Sequence, residues 1–281
     1  MVTKLFTFIF LILTAFGIAT SSAFAQTPAD DCPTISLDQG QGTAAGIPVW
    51  NQKNTPACFA YTAALLATVW VRQQWSVGEN DLALYSVDPK RSYKKMKRSR
   101  EFPEILDADR GRTCEATEFI LKQARNKLAD PTNPHFSLPV CEMYGFTQEP
   151  GTGNNLLRDP KDMEAQMHRL LQDGPLPLPF SIEYCAETFN YPGKDLIINR
   201  TFRPSLSYLN DPKASRENFA PKCGFHAAVV TGQAMRNGVC EFRVRNSAGA
   251  INGTNIEWGY FWIPASDLAK NTIRVITLHH E

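Results

Sequence analysis

Beyond residue 18, this 281-residue chain has no apolar run near the roughly 20 residues that a membrane-spanning helix needs, so no permanent span is expected. It has no Cys-x-x-Cys pair, which removes the common zinc and thioredoxin-type motifs. No Gly-Lys-Ser/Thr follows Gly151-Thr-Gly153, so a phosphate-binding loop is absent, and His279-His280 is too short a tract to argue for a metal site. Neither internal repeats nor low-complexity tracts occur. An excess of one charge is also missing: the net charge is +1, and setting Lys4 aside leaves 28 basic against 28 acidic residues. Bulk charge therefore selects neither nucleic acid nor an acidic surface as partner. No cofactor, no metal and no nucleic acid are expected.

What is present begins with an export signal. Lys4 precedes an apolar run from Leu5 to Ile18, and Ala23-Phe24-Ala25 places small residues at the cleavage positions. Residues 1–25 therefore read as a signal peptide, with Gln26 the first mature residue of a secreted or periplasmic protein. About 256 residues remain, enough to bury a substantial core, and one two-lobed monomer is expected. Residues 26–46 are polar and turn-rich and read as an extended N-terminal segment. Seven cysteines are an odd number for an exported chain. With Cys58 set aside as a free thiol, Cys32, Cys114, Cys141, Cys185, Cys223 and Cys240 can form three bridges.

The periodicity changes along the chain. Thr55 suits an N-cap and Pro56 a first helical position, and the Ala- and Leu-rich run from Cys58 to Val71 is a strong helix former. Cys58 then lies in the first helical turn, where exposed N–H groups and the helix dipole favour a thiolate. The basic stretch Lys90 to Arg100 reads as a solvated insertion, with an anionic or acidic-substrate contact as the sharper alternative. Helices are expected from about Cys114 to Lys127 and from Lys161 to Gln172, separated by a Pro- and Gly-containing loop region to about Pro160. His168 reads as an exposed residue of the second of these. Strand-like runs follow at Leu178 to Tyr184, Ala227 to Thr231, Cys240 to Arg245, Gly259 to Ile263 and Ile273 to Leu278. Ala186 to Pro221 reads as a long surface loop.

Four side chains carry the chemistry. Gln52 precedes Cys58 in Gln52-Lys-Asn-Thr-Pro-Ala-Cys58, and downstream come His226 in Gly-Phe-His226-Ala-Ala-Val-Val and Asn246 in Val-Arg-Asn246-Ser. An amide, a thiol, an imidazole and a second amide are the parts of a cysteine nucleophile with its oxyanion donor, base and orienter. The turn dipeptide Asn237-Gly238 lies near the midpoint between His226 and Asn246, so a hairpin would bring them together. An ideal two-residue turn sets His226 opposite position 249, which requires a bulge or longer loop. The same hairpin sets Cys223 and Cys240 too far apart along the strands to bridge, leaving Cys185 as the alternative partner of Cys223.

These motifs, in this order, resemble the papain-like cysteine peptidases over nearly all of the mature chain. Gln52 and Cys58 match the family's glutamine-to-cysteine spacing, His226-Ala-Ala-Val-Val-Thr-Gly looks like its histidine strand, and Val244-Arg-Asn246-Ser with Gly259-Tyr-Phe-Trp-Ile looks like its asparagine segment and following strand. The resemblance implies an α+β papain-like fold, with a helical lobe (about 47–160) packed against an antiparallel β-barrel-like lobe (about 161–281) and the active-site cleft between them. It implies Cys58 as nucleophile, His226 as base and acid, Asn246 as orienter, and Gln52 with the Cys58 N–H as oxyanion hole. The substrate would be a peptide or protein.

The chain departs from the family at several positions. Phe59 stands where a tryptophan follows the nucleophile, and Ala248 where a tryptophan shields the His–Asn pair, with Trp258 and Trp262 as candidate substitutes. Cys114-Glu-Ala-Thr117 stands where paired glycines follow a cysteine, and Thr55 replaces a cysteine of a common family bridge. The residues between Gln26 and the fold are too few for the usual inhibitory prodomain, so control by that route is not expected. Besides peptide hydrolysis, two other readings fit: an amidase or acyltransferase acting on side-chain or cell-wall amides, and a catalytically weak binding protein.

Overall fold

In the computed structural model, the residues described are 32–52, 57–74, 86–99, 113–128, 137–146, 154–185, 189–190, 197–198, 225–247, 256–257 and 259–280. The signal-peptide reading of residues 1–25, the Thr55–Pro56 cap, most of the 186–221 loop, Cys223, Ala248 and Trp258 lie outside them.

The centre of the fold is α1, Cys58–Gln74, in which every residue from Cys58 to Val71 is buried. A helix that is apolar on all sides is one that must be enclosed. It is enclosed by α2, Pro89–Met96, by α3, Thr113–Leu128, and by one face of a sheet. Helix α2 occupies the stretch expected to be a solvated insertion. Asp88 caps it by accepting from the Arg91 N–H at 3.0 Å, Pro89 starts it, and its two buried residues, Pro89 and Met96, pin it to the core.

The sheet is built from β1 (Ile35–Ser36), β2 (Val140–Gly145), β3 (Asn154–Leu156), β4 (Phe180–Cys185), β7 (Phe225–Arg236), β8 (Val239–Arg245), β9 (Ile256–Glu257), β10 (Tyr260–Pro264) and β11 (Thr272–His279). A separate short pair joins β5 (Phe189–Asn190) to β6 (Ile197–Ile198). The main sheet runs β3-β2-β11-β4-β7-β8-β10-β9, with β1 added beside β7. Its two ends do not meet among the described residues, so the barrel-like lobe is an open sheet. Strand β2 falls in the stretch expected to be loop, and its half-buried, mixed-polarity Val-Cys-Glu-Met-Tyr-Gly has no clean alternation to reveal it.

Alternation along β7 divides two cores. Ala227 and Val229 face α1, whereas Ala228 and Val230 face a second core beneath α4, Pro160–Gln172, and α5, Ala265–Asn271. The N-terminal segment belongs to this second core through Cys32 and Leu37, and it is fastened there. Cys32 is bridged to Cys240, the Leu37 N–H donates to the Thr231 carbonyl at 2.7 Å, and Arg243 Nη1 meets Asp38 Oδ1 at 2.5 Å. Gly232 permits this close approach, because a Cβ there would overlap the Ile35 carbonyl. A second bridge joins Cys114 to Cys141, and Cys58 is free. The Cys185–Cys223 pairing lies outside the described residues. No described helix is long and apolar enough to cross a membrane.

Candidate active site

The β7–β8 hairpin turns at Asn237-Gly238, both in left-handed backbone conformation, with Arg236 opposite Val239. That register holds as far as Gly232 opposite Arg243. It then shifts by one residue, so that Val230 faces Val244 and Val229 faces Arg245. Continued by one step, it sets Asn246 beside Ala228, the diagonal neighbour of His226 on the same face. One bulge and one diagonal thus absorb the three-residue offset that the sequence leaves between His226 and Asn246. The result is a hydrogen bond of 2.8 Å in which His226 Nε2–H donates to Asn246 Oδ1. The Asn246 N–H itself donates to the Gly259 carbonyl at 2.7 Å, fixing the chain directly after β8.

With Nε2 committed to Asn246, Nδ1 is the ring nitrogen left to face Cys58. The thiol is buried, 8 % exposed, at the first residue of α1. Burial alone pushes its pKa up. The hydrogen bond and charge of His226, with backbone N–H groups of Ala227 and Phe59, outweigh burial and bring it below the ordinary thiol value. The opposite holds for His226: burial pushes it down, and the Cys58 hydrogen bond and charge, with Asn246, raise it above the ordinary imidazole value. Both shifts favour a thiolate beside an imidazolium.

Gln52 reaches the same site from the N-terminal segment. Its N–H donates to the Ser247 carbonyl at 2.8 Å, and the Ser247 hydroxyl donates to Gln52 Oε1 at 2.5 Å. Because Ser247 engages the amide oxygen, the amide nitrogen is the end turned away from it, and that is the donor end an oxyanion requires. Ser247 was not singled out by sequence reasoning, although its place directly after Asn246 was the available signal.

Tyr184 was missed as well. It lies opposite His226 in the β4–β7 register and sets its ring edge-on to the imidazole, with centroids 5.4 Å apart. It is buried, and burial together with the nearby Cys58 charge pushes its phenol pKa up. Nothing in sequence spacing reports that pairing. Trp262, a candidate shield for the His–Asn pair, instead packs beneath the guanidinium groups of Arg236 at 4.7 Å and Arg243 at 5.9 Å. Cys114-Glu-Ala-Thr117 forms the first turn of α3, with Cys114, Ala116 and Thr117 buried, rather than an open shelf. His168 is partly buried, with Nδ1 2.8 Å from Gln233 Oε1, and not exposed.

No protein-family model and no curated protein matches the chain. Solved structures do. Digestive procathepsin L2 proteinase from Tenebrio molitor larval midgut superposes with a TM-score of 0.51 at 17% identity, over 92% of this chain and 70% of that one. Digestive procathepsin L 3 from the same source gives a TM-score of 0.50 at 11% identity, over 91% of this chain and 72% of that one. At such identities the likeness speaks for the fold, and it agrees with a central helix set against an open, mostly antiparallel sheet. The chain has the fold of the papain-like cysteine peptidases.

Proposed function

We propose that the chain is an exported cysteine peptidase whose catalytic domain spans residues 47–281 and acts as a monomer on peptide or protein substrates. The observation that carries this reading is the hydrogen-bonded series from Cys58 through His226 to Asn246, with the Gln52 amide oriented by Ser247 at its side. The Cys58 thiolate attacks a peptide carbonyl, and the Gln52 amide with a backbone N–H receives the negative charge that forms on oxygen. The His226 imidazolium gives its proton to the departing amine, and water, deprotonated by the same imidazole, then releases the acyl group. The two bridges support an oxidising compartment, in line with the export signal.

One observation favours a second reading. The segment that would offer glycine backbone to an extended substrate is the buried first turn of α3, which suits a side-chain or cell-wall amide, or acyl transfer, better than a bound strand. Turnover of a pooled peptide library by the mature protein separates the two. Cleavage at backbone amides, lost in Cys58→Ala, supports the peptidase. Thiol reactivity without any cleavage supports the second reading.

A further inference from the structure

Behind Asn246 and Ser247 lies a small cavity of about 20 Å³, lined also by Arg245, Thr62, Tyr61 and Trp50. Arg245 is 5 % exposed. Its Nη2 donates to the carbonyls of Ile47, at 2.9 Å, and Pro48, whereas its Nη1 is buried with no acceptor among the described residues. The rings of Trp50 and Tyr260 each lie 5.8 Å from the guanidinium carbon, which encloses the cation further.

A buried charge needs a compensating partner as well as filled hydrogen bonds. Among the described residues the carboxylate near Arg245 is Asp38, and its oxygens are engaged by Arg243 at 2.5 Å and the Thr231 hydroxyl at 3.0 Å. A water in the cavity would accept from Nη1 but would add nothing to the partial compensation that Asp38 gives. A single-atom anion does both. The volume matches an occupant of about the size of one water, since such a site needs roughly 10–15 Å³.

We propose that this cavity is a halide site, in which one chloride accepts from Arg245 Nη1, with the Thr62 hydroxyl at the cavity wall as a further donor. The anion sits against the two residues that hold His226 and Gln52, so it ties the end of β8 to α1 at the rear of the candidate active site. The site does not depend on any reaction at Cys58.

Diffraction at the bromine absorption edge, from crystals of the mature protein and of Cys58→Ala equilibrated in sodium bromide, tests it directly. The expected result is an anomalous peak beside Arg245 Nη1 in both. A cavity holding only a water, or bromide bound only elsewhere, overturns the proposal. In solution, bromide at about ten times its dissociation constant should raise Tm by roughly 3 °C over acetate at equal ionic strength. Arg245→Lys should abolish that difference, since it keeps the charge and removes the second nitrogen. Equal Tm values in the two salts for the unsubstituted protein would count against the site, whether or not the variant folds.

Discussion

At the scale of single residues, the proposed chemistry rests on opposing pKa shifts in one contact. Cys58 is lowered and His226 is raised, so the thiolate–imidazolium pair exists in the pH window between the two. Amide turnover should climb as pH rises through the lowered thiol value and fall as it rises through the raised imidazole value, where the proton for the leaving amine is lost. A pH–rate profile checks this, and in His226→Ala the rising limb should move to alkaline pH because burial then acts on the thiol without the imidazole. Ser247 holds the Gln52 amide, so its proposed role is to position that side chain. Gln52→Ala should lower kcat by about 10²–10³-fold, as loss of one oxyanion donor does. Ser247→Ala should lower it by no more than about tenfold, the worth of one neutral hydrogen bond. In the double variant the serine change should add nothing further, and a double-mutant cycle on kcat reads that directly. Additive losses would mean that Ser247 does not act by orienting the Gln52 amide.

At the scale of elements, the uneven legibility of the sequence has physical causes. The α1 helix was readable because fourteen consecutive buried positions leave an unmistakable apolar run. Strands β7 and β8 were readable because β-branched residues flank a turn dipeptide that requires left-handed backbone. Helix α2 was hidden because only Pro89 and Met96 are buried, and its exposed lysines and arginines resemble any solvated segment. Strand β2 was hidden by its lack of alternation, and α5 by its shortness. The bridge partners are likewise set by topology: β2 brings Cys141 to the start of α3, and β1 beside β7 brings Cys32 to Cys240. The two bridges should differ in weight. Cys32 and Cys240 are 208 residues apart and Cys114 and Cys141 are 27 apart. In chain-entropy terms the longer loop contributes about 5 kcal/mol and the shorter about 3–4. Thermal unfolding of the two Cys→Ser pair variants should therefore show the larger fall in Tm for Cys32/Cys240.

At the scale of the whole molecule, chain order and spatial order are interleaved. The N-terminal segment crosses the β7–β8 hairpin before Gln52 enters the site, so the candidate oxyanion donor is supported by residues distant in sequence. The Arg243–Asp38 pair is central to that support, with side chains 6 % and 1 % exposed. Asp38→Ala leaves a buried guanidinium without its carboxylate, and should cost about 3–5 kcal/mol in denaturant unfolding. A loss near zero would mean that the segment is held by the bridge and backbone hydrogen bonds alone. The four candidate residues were legible because acyl-transfer chemistry restricts residue types and order. Of their supports, Tyr184 was not, because a cross-strand neighbour leaves no spacing signature, and Ser247 offered only its place directly after Asn246.

An activated Cys58 nucleophile in the folded protein can be measured directly. Intact mass after treatment with an epoxysuccinyl thiol probe, across acidic to neutral pH, measures this in the mature protein beside Cys58→Ala and His226→Ala. One adduct is expected on the native protein, absent in Cys58→Ala and slowed in His226→Ala. An unmodified mass until the protein is denatured would contradict it.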